Sequence, residues 1–360
     1  MGDLIKDLVD KVSAPIPYTV GVAALLLVVL RFRRFATHPV VFGVAALLGT
    51  AFFVFAFPDK NFNKIVTKGD NIPIVGMLVG VIFFTWLALR RAVINDERRK
   101  RGEATLEAEL SKQKVFVWPD LVYTELICLV LFTVVLTAWS VGIQAPLEEP
   151  ASQARTPNPS KAPWYFLGLQ ELLVYFDPWI AGVLLPSFII VGLCAIPYLD
   201  RNTKGNGYYT FDERPFAVSF FTVGFILLWV SLVVMGTFLR GPNWSFFGPF
   251  EYWDIHKLEP AVNVNLSEYF WIQWLGRPRP DNIVLRELPG LVALGAWFGM
   301  LPPLLARTLF KRAFAELGPV RYQIMMHLFL WFCLVPLKMV LRWTVNLKYV
   351  VGIPEYFFNV

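Results

Sequence analysis

The stretch KAPWYFLGLQELLVYFDPWIAGVLLPSFIIVGLCAIPYLD, residues 161–200, decides the fold. Its second half, Trp179–Leu199, carries no charge over about the 20 residues that a helix needs to cross a bilayer. Hydrocarbon offers no partners to backbone N–H and C=O groups, so such a run closes its hydrogen bonds within itself as a helix. The first half is of another kind. Trp164, Tyr165, Phe166, Tyr175 and Phe176 are interleaved with Glu171 and Asp177, an aromatic and amphipathic mixture that suits the headgroup region.

Working outward, seven further blocks have the same apolar character: Ile16–Leu30, Val40–Phe57, Ile72–Leu89, Leu121–Ile143, Pro215–Leu239, Leu288–Leu305 and Tyr322–Leu341. The 360 residues are 56% hydrophobic and only 17% charged, where soluble domains sit near 45–50% apolar and about a quarter charged. The fold class is therefore an all-α integral membrane protein with about eight transmembrane helices. Pro302-Pro303 predicts a kink or early stop in the seventh span. An aromatic fraction of 16% and the lack of a repeat exclude disorder, collagen and coiled coil. Cys128, Cys194 and Cys333 lie in apolar stretches with no CxxC pair, and read as small buried hydrophobes rather than a disulfide or zinc site.

The net charge of +6 does not point to nucleic acid, because Lys and Arg cluster at the ends of the apolar blocks. That placement marks orientation signals and headgroup contacts. Counted over alternate loops, slightly more than half fall on one side, led by the dense run from Arg90-Arg91 through Arg98-Arg99-Lys100-Arg101. The run is expected to hold that side in the cytoplasm, leaving both termini outside. The N-terminal MGDLIKDLVDK shows neither a removable signal nor a myristoylation signal. Residues 93–117 read as a charged, solvated arm in which ATLEAEL favours helix. Residues 241–287 form a Trp-, Phe- and Pro-rich outer loop that anchors at the membrane surface or docks a partner.

Phosphate-binding loops, GxSxG and HExxH are missing from the sequence. Its three histidines, His38, His256 and His327, are too few for two bis-His haems. His38 and His327 fall near the cytoplasmic ends of their spans and are the weak metal candidates, with capping of a helix end as the plainer role. Carboxylates in or near a bilayer are costly and so are functional candidates. Asp120 and Glu125 open the fourth span, and Glu171 and Asp177 lie on the outer side. Glu171 follows Trp164 by seven residues, about two helical turns, so both project from one face if the segment is helical. A carboxylate beside aromatics exchanges protons readily; plain interfacial exposure is the competing reading for both acids. Lys338 and Arg342 lie close enough to a helix end to snorkel.

The ordered set WPDLVY (118–123), KAPWYFLGLQELL (161–173), AIPYLD (195–200) and DERPF (212–216), with a span after each of the first two and the last, resembles the C-terminal half of cytochrome b. That half is the separate subunit IV of chloroplast-type complexes, and the likeness covers roughly residues 118–240. It implies a subunit of a quinol:cytochrome c-type oxidoreductase whose outer loop helps build the quinol-oxidation pocket beside an iron–sulfur partner. The family's Pro-Glu-Trp-Tyr motif falls on Ala162, Pro163, Trp164 and Tyr165; the two aromatics match, while Pro163 replaces the glutamate that takes a quinol proton. Glu171 is the expected substitute, with Glu148 or Glu149 behind it. Asp120 occupies a position where the family often has an acidic residue at the quinone-reducing site, with helix capping as a compatible role.

The resemblance also sets the organisation. Residues 1–92 are a three-helix extension, 93–117 the arm, 118–240 the cytochrome b-like three-helix domain, 241–287 the aromatic loop and 288–360 a two-helix extension. It implies menaquinone or ubiquinone as the quinone, haem b in a separate cytochrome b N-terminal subunit, a Rieske-type iron–sulfur protein and a c-type cytochrome as partners, and a bacterial inner membrane. A structural anchor that has lost the quinol site, and a transporter, are the competing functions.

Overall fold

The computed structural model describes residues 2–143, 147, 150–203, 207–259, 262–356 and 358–360. Glu148 and Glu149 lie outside them. The chain opens with α1 (Gly2–Val12) and α2 (Pro15–Arg31), a pair bent by 84°. Then come α3 (Pro39–Ala56), α4 (Asn71–Lys100), α5 (Val117–Gly142), the short α6 (Trp164–Leu172), α7 (Ile180–Leu199), α8 (Pro215–Leu239), α9 (Ile283–Arg307) and α10 (Lys311–Val345). Among the described residues, seven helices are long and apolar enough to cross a membrane, with the α1–α2 pair as an eighth. These match the eight expected blocks. The chain is an all-α integral membrane protein, and among the described residues the only strands are β1 (Gly352–Ile353) and β2 (Phe358–Asn359), paired antiparallel.

Proline shapes the spans locally. Its ring displaces the carbonyl four residues back and it offers no N–H of its own. In α7 the turn ahead of Pro186, Ile180–Leu184, widens to π geometry. In α9 the turn ahead of Pro302-Pro303, Ala296–Met300, does the same. The disturbance expected at Pro302-Pro303 is thus a π-turn before the prolines, and α9 continues to Arg307.

The chain divides into two compact units, one of Met1–Ser160, Gly205–Leu227 and Thr237–Lys257, the other of Lys161–Lys204, Leu228–Gly236 and Leu258–Val360. In the first, Val9, Phe53, Ala56, Phe62, Val66 and Phe250 form one apolar cluster, and Leu30, Leu89, Ala92 and Phe211 another. Helix α4 runs unbroken through Arg98-Arg99-Lys100 and ends where Gly102 takes a left-handed φ of 76°. Residues 93–100, expected in the arm, are therefore the end of a span helix, and the rest of the arm holds one short helix, Leu106–Leu110. The basic run is not simply solvated. Arg99 pairs with Glu213 at 2.8 Å and Lys100 with Asp212 at 2.7 Å. Arg33 also pairs with Asp212, and its guanidinium lies 4.1 Å from the Phe211 ring centroid. The buried Asp96 carboxylate accepts from the backbone N–H groups of Phe211 and Asp212. The partners are more than a hundred residues apart in sequence, beyond the reach of local pattern.

In the second unit α6 lies against residues 228–236, and Ala306, Tyr322, Met326 and Leu330 join α9 to α10. Tyr322 Oη donates to the Pro302 carbonyl at 2.9 Å. Cys128 and Cys194 are exposed and Cys333 is half-buried, which corrects their reading as buried hydrophobes. In a membrane helix an apolar neighbourhood in sequence marks lipid-facing surface as readily as core.

Candidate functional site

Helix α6 carries the residues singled out for chemistry. Pro163 is its exposed N-cap residue, with φ −53° already near helical values. The Phe166 N–H donates to the Pro163 carbonyl at 2.9 Å, and the Ala162 N–H to Gln170 Oε1 at 2.8 Å. The second bond draws the entering segment back over the helix. Trp164 is half-buried and meets Trp229 edge-on, with ring centroids 6.3 Å apart. Tyr165 stands exposed beside Phe166, at 4.8 Å between centroids. Two glycines allow the helices this close: a Cβ on Gly168 would lie 3.4 Å from Val233, and one on Gly236 would lie 3.2 Å from the Leu167 carbonyl oxygen.

Glu171 is fully buried, so interfacial exposure is excluded for it. Tyr175, also fully buried, donates through Oη to Glu171 Oε1 at 3.5 Å. Removing a carboxylate from water is costly unless it is paired, which makes a buried acid in this segment a functional candidate. Asp177 accepts from Tyr349 Oη at 3.2 Å and from Asn359 Nδ2 at 3.3 Å. It is a bonded residue of the interior edge rather than a plainly solvated one. Burial, followed by the Asp177 carboxylate, pushes the Tyr349 phenol up to about 12.

The C-terminal extension reaches this helix directly. Lys348 Nζ donates to the carbonyls of Leu173 and Val174 at 3.1 and 3.3 Å, at the end of α6. These belong to the carbonyls that a helix C-terminus leaves without intrahelical partners, and a cation there also suits the helix dipole. Burial, with Arg342 nearby, holds the Lys348 amine below its ordinary range. Lys338 is fully buried, and its Nζ donates to the Lys348 carbonyl at 2.6 Å beside the Phe176 ring. This corrects the snorkelling assignment: backbone oxygen within the fold, not water, receives its ammonium. Arg342 donates to the Val262 and Asn346 carbonyls. Lys338, Lys348, Tyr349 and Asn359 were not among the expected site residues. Only Lys338 carried a signal, a charge inside an apolar block, which is a functional pointer by default.

The other candidates sit apart from α6 in sequence. Asp120 is exposed in the first turn of α5, and no side chain caps that helix; the capping role is not realised. No residue of α5 is buried by this chain. His38 is the N-cap of α3, its Nδ1 accepting from the Val40 N–H at 3.3 Å. His327 Nδ1 lies 2.8 Å from the Gln323 carbonyl, and its ring stacks on Phe298. His256 lies exposed in the aromatic loop. Among the described residues no three His, Cys, Asp or Glu side chains gather as metal ligands.

Residues 150–249 match the family model described as cytochrome b (C-terminal)/b6/petD. This segment contains α6, α7 and α8, and makes that part of the chain cytochrome b C-terminal-like, or subunit IV-like. It begins after α5, which the resemblance had included from residue 118, and extends nine residues past 240 into the aromatic loop. No solved structure matches the chain. A segment of this family, set among apolar helices, supports a multi-pass membrane subunit of a bc-type redox complex that works with partner subunits.

Proposed function

We propose that the chain is a membrane subunit of a quinol-oxidising bc-type complex in a bacterial inner membrane. It contributes a wall of the outer quinol-oxidation pocket through Pro163, Trp164 and Tyr165, with Glu171 as proton acceptor. The observation that carries this reading is the fully buried Glu171, with Tyr175 on its carboxylate, inside the cytochrome b-like segment. Oxidation of a quinol releases two electrons and two protons. The electrons are assigned to a Rieske-type iron–sulfur cluster and to haem b, which partner subunits hold, and pass onward to a c-type cytochrome. This chain's share is to position the quinol against the aromatics, exclude water and take one hydroxyl proton on a Glu171 oxygen for release outside, while the second hydroxyl proton leaves through groups of the partner subunits. Asp120 is assigned to hydrogen-bond a quinone, menaquinone or ubiquinone, on the cytoplasmic side. Both termini lie outside in this arrangement.

The test is gentle purification of the complex through this chain, with haem spectroscopy, identification of co-purifying subunits and quinol turnover. Haem b arriving with a four-helix His-rich subunit and an iron–sulfur protein is the expected result, and Glu171→Gln should then cut turnover at least tenfold with haem content unchanged. A colourless chain arriving alone overturns the complex. Full turnover in Glu171→Gln overturns its role. The second reading, a structural anchor, is favoured by Pro163 standing where the family has its glutamate; it requires that no quinol-site inhibitor contact residues 162–175.

A further inference from the structure

We propose that α1 is an interfacial helix that lies flat in the headgroup layer, with its Leu4–Leu8–Val12 stripe inserted into the lipid. The chain bends by 84° between α1 and α2, at Ser13-Ala14 just ahead of Pro15. Helix α2 runs without charge from Pro15 to Leu30; in this arrangement it alone of the bent pair crosses the bilayer. A helix at nearly a right angle to it runs parallel to the membrane plane. The 11 residues of α1 are also the ones whose pattern fits such a position. Leu4, Leu8 and Val12 recur every four residues and share one face, and they are 71%, 59% and 52% exposed. For a stripe of large aliphatic side chains, water is the least favourable neighbour.

The rest of the helix is tied down. Val9 packs into the cluster of Ala56, Phe62 and Phe250. Lys6 Nζ donates to Asp59 at 2.6 Å, and Asp10 accepts the Phe250 N–H at 2.9 Å. A Cβ on Gly248 would meet the Asp10 side chain at 2.3 Å, so the loop closes tightly on this helix. These bonds fix the roll of α1 about its axis, and with it the direction of the apolar stripe. Lys11 and Asp7 form an exposed pair at 2.7 Å on the flank of the stripe, where headgroups and water meet. With acids and bases nearly balanced along the helix, the attraction is apolar insertion rather than adsorption on anionic lipid. Helix α2 exposes Val20, Leu25 and Leu27, large aliphatic side chains around its circumference as suits a helix in lipid. The occupant is therefore the bilayer interface.

The test places a nitroxide label singly at positions 4, 7, 8 and 12 of the complex in lipid nanodiscs, in a Cys128→Ser, Cys194→Ser, Cys333→Ser background. Labels at 4, 8 and 12 should be reached by oxygen and shielded from a water-soluble nickel chelate, and the label at 7 should show the reverse. Equal access of the chelate to positions 4 and 7 overturns the proposal, as do immobile labels at 4 and 8 that neither reagent reaches, which would mark a protein partner. Should the cysteine-free protein fail to fold, a diazirine lipid is photolysed with the wild-type complex. Lipid adducts on residues 2–12 support insertion; protein crosslinks there with no lipid adduct overturn it. Neither readout depends on quinol chemistry.

Discussion

Lys348, twelve residues from the C-terminus, donates to the Leu173 carbonyl at 3.1 Å and so closes the helix that carries Glu171. Hydrogen bonds from a charged donor contribute about 1.5–3 kcal/mol, less where the group is half in solvent. Lys348→Met keeps the stem and removes the donor. It should destabilise this unit by about 1–2 kcal/mol, which is ~2–8 °C in melting temperature for a unit of this size. If Glu171 acts as proposed, turnover in assembled Lys348→Met complex falls while haem content does not. Thermal unfolding in detergent and a quinol assay check the two parts separately. An unchanged melting temperature would remove the clamp.

Gly290 sits where α9 passes beneath the C-terminal tail. A Cβ there would lie 1.9 Å from the Val350 carbonyl oxygen and 2.7 Å from Val351. Backbone, not a flexible side-chain tip, is in the way, so Gly290→Ala must push the tail outward. Val350 and Val351 are bonded to Val360, and the Gly352 N–H donates to the buried Glu287 at 3.1 Å. Overpacking of this kind costs about 1–3 kcal/mol. Limited proteolysis should cut Gly290→Ala within residues 346–360 at a protease level that leaves the wild type whole. Gly295→Ala, where a Cβ meets nothing within 4 Å, is the control and should behave as wild type.

The spans were legible because bilayer thickness imposes one length and one composition on every crossing segment, and the blocks from Val40–Phe57 to Tyr322–Leu341 met both, while Ile16–Leu30 is short and its helix passes as a span only together with α1. The motif aromatics Trp164 and Tyr165 were legible through their order along the chain. Glu171 could be named but not placed, since seven residues of spacing give a face and not what covers it. Lys348 and Asn359 were invisible for a different reason. Their partners, Leu173 and Asp177, are more than 170 residues away, and a lysine after an apolar block reads as a headgroup contact wherever it occurs. The same blindness misassigned Lys338, whose position near a helix end was taken as access to water. In the membrane, proximity to an end settles nothing when the chain folds back over it.

The contact of α6 with residues 228–236 rests on small residues. A Cβ at Gly236 lies 3.2 Å from the Leu167 carbonyl oxygen, so alanine asks for a shift of a few tenths of an ångström, and leucine for far more. Gly236→Leu should force α6 away and loosen the Trp164–Trp229 edge contact, costing about 1–3 kcal/mol. Where Glu171 serves as the acceptor, this variant should lose most quinol turnover, and Gly236→Ala should keep more than half. Equal activity in both would mean that α6 does not need this packing.

Asp212 offers the clearest pH dependence. The hydrogen bond from Lys100 comes first, with the charges of Lys100 and Arg33 behind it, and together they hold the Asp212 carboxyl below the usual carboxylate range despite partial burial. In the unfolded chain an aspartate titrates near ~3.9. A depressed folded value contributes stability that is fully present above that unfolded value. The contribution fades as pH falls through ~4 toward the lower folded value, because protons then compete with Lys100 and Arg33. The loop 207–214, held by Asp212 and by the Asp96 bonds to Phe211 and Asp212, should therefore open as pH drops from about 5 to about 3. Hydrogen exchange of this segment, corrected for intrinsic rates, should rise over that interval. Asp212→Asn should show raised exchange at neutral pH and a flatter acid response. A wild-type pH dependence retained in Asp212→Asn would assign the transition to another carboxylate.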